Sequence, residues 1–167
     1  PPPRRMFGQT PFKLRVATMI KRRAFLGLFA AAPFVAGPAW AGSPDVFAAN
    51  GLAIRGYDPV AYFTTAGPVI GDPAHTIMWR GAIWQFSTSD TMMAFEMNPT
   101  AYAPEYGGYC AFAMARGAIA TTVPEAWTIH QGRLYLNYSL NVRATWAADI
   151  PGNIVRANGY WPDILAG

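Results

Sequence analysis

Apolar and polar positions alternate in two short stretches of the chain, and a glycine divides each stretch. The first, TIMWRGAIWQFST at residues 76–88, has its apolar positions on either side of Arg80-Gly81. The second, AWTIHQGRLYLNYS at residues 126–139, has Gln131-Gly132 in the equivalent place. Glycine permits the positive φ of a tight turn, so both stretches predict antiparallel β-hairpins.

A residue suited to a helix N-cap follows each predicted hairpin. Ser89 or Asp90 is expected to cap a helix that ends at Asn98-Pro99. Four apolar residues are expected to form its broad core-facing side: Met92, Met93, Phe95 and Met97. Ser139 is expected to cap a second helix. Strand and cap positions of the two units are offset by about 50 residues and their turns by about 51, which indicates a pseudo-repeat. Short antiparallel strands with helices packed against them predict a small single α+β domain.

Other segments give weaker predictions. GYDPVAYF at residues 56–63 is typical of a turn that leads into a short strand. The glycine pair Gly107-Gly108 interrupts any periodic structure, and the apolar residues 109–115 predict a short buried helix closed by Gly117. One more short helix is expected before Trp161-Pro162.

The first 41 residues differ from the rest. Residues 21–41, KRRAFLGLFAAAPFVAGPAWA, have a basic start, an apolar run and a small-residue ending, which is the layout of a secretory signal peptide. RRAFL resembles a twin-arginine export signal. We therefore expect a disordered upstream segment at 1–18, a signal peptide at 19–41, a domain at 42–167, and a bacterial periplasmic or secreted location. The apolar run is shorter than the roughly 20 residues of a bilayer span, so no stable membrane span is expected after signal removal.

The charged residues are also distributed differently before and after residue 41. The whole chain has a net charge of +4, with 13 basic and nine acidic residues. Seven of the basic residues lie in residues 1–41 and all nine acids lie beyond them, so six arginines against nine acids leave residues 42–167 at −3. The basic character belongs to the predicted export signal. No nucleic-acid partner is expected, because such binding needs a basic patch on the folded domain.

The chain has one cysteine, Cys110, so an internal disulfide is impossible. Cys110 and Met114 are four residues apart and would share a helix face, and thiolate and thioether are soft ligands that suit copper(I). His75 and His130 are the two imidazoles available to complete such a site. The alternative interpretation is that Cys110 is a small, buried and inert core residue. A catalytic nucleophile is a third interpretation, for which no base can be placed nearby.

Aromatic residues are the second group of candidate binding residues in the chain. Tyr106 and Tyr109 flank the glycine pair and are candidates for lining a small-ligand pocket, because such pockets combine aromatic walls with a few polar groups.

Four segments resemble the YHS domain family, and in particular its small exported members. They are GYDPVAYF, MWRGAIWQFSTSD, FEMNPTAYAPEYGGYCAFAM and PEAWTIHQGRLYLNYS, within residues 50–162. The resemblance implies a compact α+β domain. The broader family accompanies metal-transport ATPases and oxygenases and is associated with soft-metal binding. This chain departs from the metal-binding members, because residues 58–62 and 86–91 contain no thiol.

Two functions from different classes remain open. The first is a non-enzymatic domain that binds a soft metal such as copper, or a small ligand. The second is a structural or protein-interaction module without a ligand. An enzyme ranks third, because the chain has no recognisable acid–base pair or phosphate-binding loop. The sequence identifies no partner.

Overall fold

The computed structural model of the protein describes residues 42–167. The predicted upstream segment and signal peptide, at residues 1–41, lie outside the described residues. A four-stranded sheet has the order β1-β2-β4-β3, in which β2 runs parallel to β4 and the other pairs are antiparallel. A separate two-stranded hairpin consists of β5 and β6. The strands are β1 (Ala48–Ala49), β2 (Leu52–Ala53), β3 (Asp72–Trp79), β4 (Ala82–Phe86), β5 (Val123–His130) and β6 (Arg133–Asn137).

Six short helices pack against these strands. They are α1 (Ala61–Thr64), α2 (Ser89–Met97), α3 (Pro99–Tyr102), α4 (Ala111–Met114), α5 (Leu140–Ala147) and α6 (Ile150–Asn158). Single 3-10 turns lie at Ile54–Gly56, Glu105–Gly108 and Asp163–Ala166. The α+β class predicted from the sequence is confirmed. No helix in residues 42–167 is long and apolar enough to cross a membrane.

Both predicted hairpins are present, and their turns have the same geometry. Arg80 and Gly81 have φ of 48° and 75°, while Gln131 and Gly132 have φ of 50° and 72°. Two successive positive φ values define the type I′ turn, whose twist matches that of the flanking strands. The expected role of glycine in these turns is confirmed.

The pseudo-repeat has a single offset of 51 residues rather than 50 in some places and 51 in others. The cap of α2 is Thr88, whose side chain accepts the N–H of Thr91, and not Ser89 or Asp90. Thr91 in turn accepts the N–H of Thr88 and completes a capping box. Ser139 caps α5 as predicted, and it lies 51 residues after Thr88. The prediction for the first cap was therefore wrong by one residue.

The segment after Asp58 is a helix, where the sequence predicted a strand. Asp58 is fully buried, and its Oδ1 accepts the N–H groups of Val60 and Ala61 at 2.8 and 3.3 Å. This side chain satisfies donors at the start of α1, which favours a helical turn over the extended form preferred by Val60 and Tyr62.

Two of the three methionines of α2, Met93 and Met97, were wrongly predicted to face the core. Phe95 is the fully buried residue of the helix, whereas Met93 and Met97 are 57% and 82% exposed. Met92 is partly buried against the core. The helix buries a narrow stripe rather than the broad face expected from the spacing of its apolar residues.

Strand β6 separates two cores. Leu134 and Leu136 belong to the first core, together with Trp84, Phe86 and Phe95. Tyr135 points to the opposite side and joins the second core, which also holds Tyr106, Met114 and Trp146. The alternation along the strand explains this division, since successive side chains of a strand point to opposite faces.

Candidate functional site

A cleft with a volume of about 190 Å³ opens beside the turn of the first hairpin. One wall comes from the end of β3 and from β4, and another comes from residues 100–107. Arg133, at the start of β6, and Trp161 complete it. The lining residues are Val46, Trp79, Arg80, Trp84, Thr100, Ala103, Pro104, Glu105, Tyr106, Gly107, Arg133 and Trp161.

Two tryptophans form a fixed aromatic wall. The rings of Trp79 and Trp84 are 5.6 Å apart in an edge-to-face arrangement. Trp84 donates its indole N–H to the carbonyl oxygen of Trp79 at 3.0 Å. Trp84 is 1% exposed and also contacts Phe95 in the first core. The wall therefore keeps its shape without a ligand, because packing and the hydrogen bond already hold both rings.

Tyr106 and Trp161 form the opposite aromatic side, with ring centroids 6.1 Å apart. The Tyr106 hydroxyl donates to Oδ1 of Asn158 at 3.0 Å, so it is already engaged in the second core. Burial, followed by the nearby Tyr135 and Glu105, raises the pKa of Tyr106 well above its ordinary value. Tyr106 therefore supports the cleft wall with its ring, while its neutral hydroxyl is bonded within the second core.

The backbone at this side is held in an uncommon conformation. Tyr106 and Gly107 have φ of 56° and 61°, so two successive residues are left-handed. The Gly107 carbonyl accepts the N–H of Phe47 at 2.9 Å. A Cβ on Gly107 would overlap the carbonyl oxygen of Asp45. Only glycine fits this close approach of two backbones, and the approach positions Tyr106 at the cleft.

Three charged residues line the cleft. Arg133 donates to Oε1 of Glu105 at 2.8 Å, and the two charges offset each other. The guanidinium carbon of Arg80 lies 4.8 Å from the centroid of the Trp79 ring. Arg80 has no acidic partner among residues 42–167, whose ion pairs are Arg133–Glu105 and Arg156–Asp149. Two arginines and one glutamate leave the cleft with a formal charge of +1.

Cys110 does not line this cleft. It is 1% exposed and forms the N-cap of α4, with Sγ accepting the N–H of Ala113 at 3.5 Å. Its position at the start of a buried helix after the glycine pair is as the sequence predicted. Met114, at the end of α4, is fully buried in the second core.

The two histidines lie elsewhere. His75 is on β3, and its buried Nδ1 has no hydrogen-bond partner among the described residues. His130 pairs with Arg133 at the turn of the second hairpin. Asn137, which contacts Cys110, is four residues beyond Arg133 on β6, or about 13 Å along the strand. Within residues 42–167, no three His, Cys, Asp or Glu side chains are grouped to hold a metal ion.

Of the two tyrosines predicted to bind a ligand, the structure places Tyr106 at the cleft and Tyr109 outside it. The Tyr109 ring packs on Phe47, and its hydroxyl donates to the carbonyl oxygen of Pro44 at 2.9 Å. Sequence reasoning missed the arginines and Trp161. The hairpin register does place Arg80 next to Trp79 at a turn, but no local signal brings Arg133 or Trp161 to the same place.

Comparisons with known proteins add nothing to this geometry, because no family model, curated protein or solved structure matches the chain.

Proposed function

We propose that this protein is a non-enzymatic small-ligand-binding domain and that the cleft between Trp79 and Trp161 is its binding site. The observation that carries the proposal is a preformed aromatic cleft whose wall holds a cation, Arg80, without an acidic partner among the described residues. Concave sites with aromatic walls and a few polar groups are the usual form of small-ligand sites.

We also propose, from the resemblance to exported YHS proteins and from the predicted signal peptide, that the domain acts in the periplasm. A ligand-binding role without catalysis suits the cleft, whose titratable groups are a paired Glu105, two arginines and Tyr106, whose hydroxyl already donates to Asn158. The Glu105 carboxylate pairs with Arg133, and the Thr100 hydroxyl donates to Oδ1 of Asn98 at 3.0 Å. The two are therefore not hydrogen-bonded as the base and nucleophile that acyl- or group-transfer chemistry needs.

We do not extend the proposal to copper. The Cys110 thiol is buried and already accepts one hydrogen bond and donates another. Copper(I) binding there would require the thiol to lose its proton and, with it, the hydrogen bond that it donates to Asn137. The histidines of the predicted ligand set lie on strand segments away from α4.

Tryptophan indole signals give a direct test. The chain has six tryptophans, of which Trp79, Trp84 and Trp161 line the cleft, while Trp127 and Trp146 do not. We expect single-ring fragments to shift the indole N–H resonances of the first three in two-dimensional NMR of the ¹⁵N-labelled protein. The resonances of Trp127 and Trp146 serve as internal controls. Fragments that move no indole, or that move only the two controls, would argue for a structural module instead.

A further inference from the structure

The size of the cleft limits its occupant. Drug-sized ligands occupy pockets of roughly 300–1,000 Å³. A cavity of about 150 Å³ holds one benzene molecule. The cleft, at about 190 Å³, therefore encloses about one ring, and a substituent on that ring would extend through its open side toward solvent.

The walls of the cleft favour a flat ring. Trp79 and Trp84 are held at 5.6 Å, and Tyr106 and Trp161 at 6.1 Å, in edge-to-face arrangements. Aromatic rings pack best in offset or edge-to-face contacts with centroids about 4.5–7 Å apart. A ligand ring seated against Trp79 and Trp161, the partly exposed members of these pairs, would continue the arrangements that the walls already make, with the buried Trp84 and Tyr106 packed behind them.

The charge of the cleft favours an anion. Glu105 is paired with Arg133, so Arg80 supplies the excess positive charge. Its guanidinium lies over the Trp79 ring, and Arg80 makes no ion pair in the described part of the chain. A planar guanidinium binds a carboxylate through two parallel N–H donors. A net charge of +1 matches a monoanion better than a dianionic phosphate.

We propose that the cleft selects a single-ring organic monocarboxylate, whose ring lies among the aromatic walls and whose carboxylate pairs with Arg80. This inference rests on the proposed function, since it names the ligand class of the same site. According to this inference, the cleft distinguishes ligands by their charge as well as by their shape.

The test compares four probes that separate ring from charge: benzoate, benzamide, benzylamine and acetate. Each is titrated at low ionic strength, with the cleft indoles followed by NMR as above. We expect benzoate to bind about five-fold tighter than benzamide, because Arg80 is solvent-exposed and an exposed ion pair contributes about 1 kcal/mol at most. Benzylamine and acetate are expected to bind more weakly than benzoate.

Arg80→Gln should remove the preference for benzoate over benzamide, and Arg80→Lys should keep part of it. The matched control is Arg116→Gln. Arg116 also lies over an aromatic ring, 3.5 Å from the centroid of Phe112, but it does not line the cleft. Arg116→Gln should leave the preference for benzoate over benzamide unchanged. Circular dichroism and thermal melts establish that each variant is folded.

The outcomes distinguish the two proposals. If benzamide binds as tightly as benzoate, or if the preference survives Arg80→Gln, the monocarboxylate inference is wrong and the ligand-binding proposal stands. Acetate binding as tightly as benzoate would also overturn the inference, because the ring would then contribute nothing. If none of the three ring probes shifts a cleft indole, both the inference and the proposed function fail.

Discussion

The Cys110 thiol lies 3.7 Å from Oδ1 of Asn137, and both residues are inaccessible to solvent. The same oxygen accepts the N–H of Phe112 at 3.2 Å. One buried amide therefore holds the thiol and the first turn of α4 together. Both side chains are occupied in ordering a corner of the fold, which explains a lone cysteine without assigning it chemistry.

The first prediction concerns the reactivity of this thiol. Cys110 is 1% exposed and is the N-cap of α4. The native protein should therefore react with a thiol reagent such as DTNB far more slowly than the protein in denaturant. The reaction rate, measured as a function of urea concentration, should follow the unfolding transition. A native rate equal to the denatured rate would show an accessible thiol and would favour the copper interpretation.

The second prediction concerns the buried carboxylate of Asp58. Its Oδ2 accepts both the N–H and the hydroxyl of Ser87, at 2.8 and 2.7 Å, and its Oδ1 serves the start of α1. Asp58→Ala would leave these buried donors unpaired, so we expect a loss of about 3 kcal/mol or more in the free energy of unfolding. Urea denaturation measures this loss.

Asp72 provides the matched control for Asp58. It also accepts a backbone N–H two residues ahead, that of Ala74 at 2.8 Å, but it is exposed. Asp72→Ala should change the free energy of unfolding by less than about 0.5–1 kcal/mol. Equal losses at the two positions would mean that burial of the Asp58 carboxylate contributes nothing to stability.

The third prediction concerns the glycine corner that positions Tyr106. Gly107 and Gly132 both have positive φ, of 61° and 72°, but nothing lies within 4 Å of a Cβ on Gly132. Gly132→Ala should therefore cost only the strain of the left-handed backbone, about 1–2 kcal/mol. Gly107→Ala adds a collision with the Asp45 carbonyl and should cost about 1–3 kcal/mol more. Similar thermal melts for the two variants would contradict the close backbone approach.

Much of the fold could be predicted from local signals. The two hairpins follow from alternation around Arg80-Gly81 and Gln131-Gly132, because a type I′ turn and strand periodicity are both local properties. The helix at Ala61–Thr64 could not be predicted in this way. Its start depends on Asp58, and Asp58 is fixed in turn by Ser87, which is 29 residues away. A tertiary hydrogen bond there overrides β-propensity.

The candidate site was predictable only in part. Tyr106 was named because it adjoins the glycine pair, but Arg133 and Trp161 reach the cleft through the packing of β6 and the C-terminal segment. The exposed Met97 and the buried Asn137 reverse what residue type alone predicts. Asn137 is 51 residues after Phe86, so the second unit has an amide where the first has a core phenylalanine. The Asn137 side chain accepts hydrogen bonds from Cys110 and Phe112, which the first unit lacks.

The fourth prediction concerns stability at alkaline pH. Burial is the main reason why the pKa values of Tyr62 and Tyr106 are raised well above their ordinary value, and nearby groups, chiefly Glu125 for Tyr62 and Tyr135 for Tyr106, add to this. In the unfolded chain both phenols ionise near pH 10. Between about pH 10 and the raised folded pKa values, the unfolded state therefore binds fewer protons than the folded state, and stability falls as pH rises.

The stabilisation from these two neutral phenols should thus be complete below about pH 10 and decline above it. The free energy of unfolding of the wild type is expected to fall between pH 9 and pH 11. Tyrosinate absorbance should show fewer ionised tyrosines in the folded than in the unfolded protein at pH 11. Tyr62→Phe removes one raised phenol and its bond to the Pro124 carbonyl, at 3.2 Å. This variant should be less stable at pH 9 but should lose less stability between pH 9 and 11. If the free energy of unfolding of Tyr62→Phe fell with pH as steeply as that of the wild type, Tyr62 would ionise equally in the folded and unfolded states.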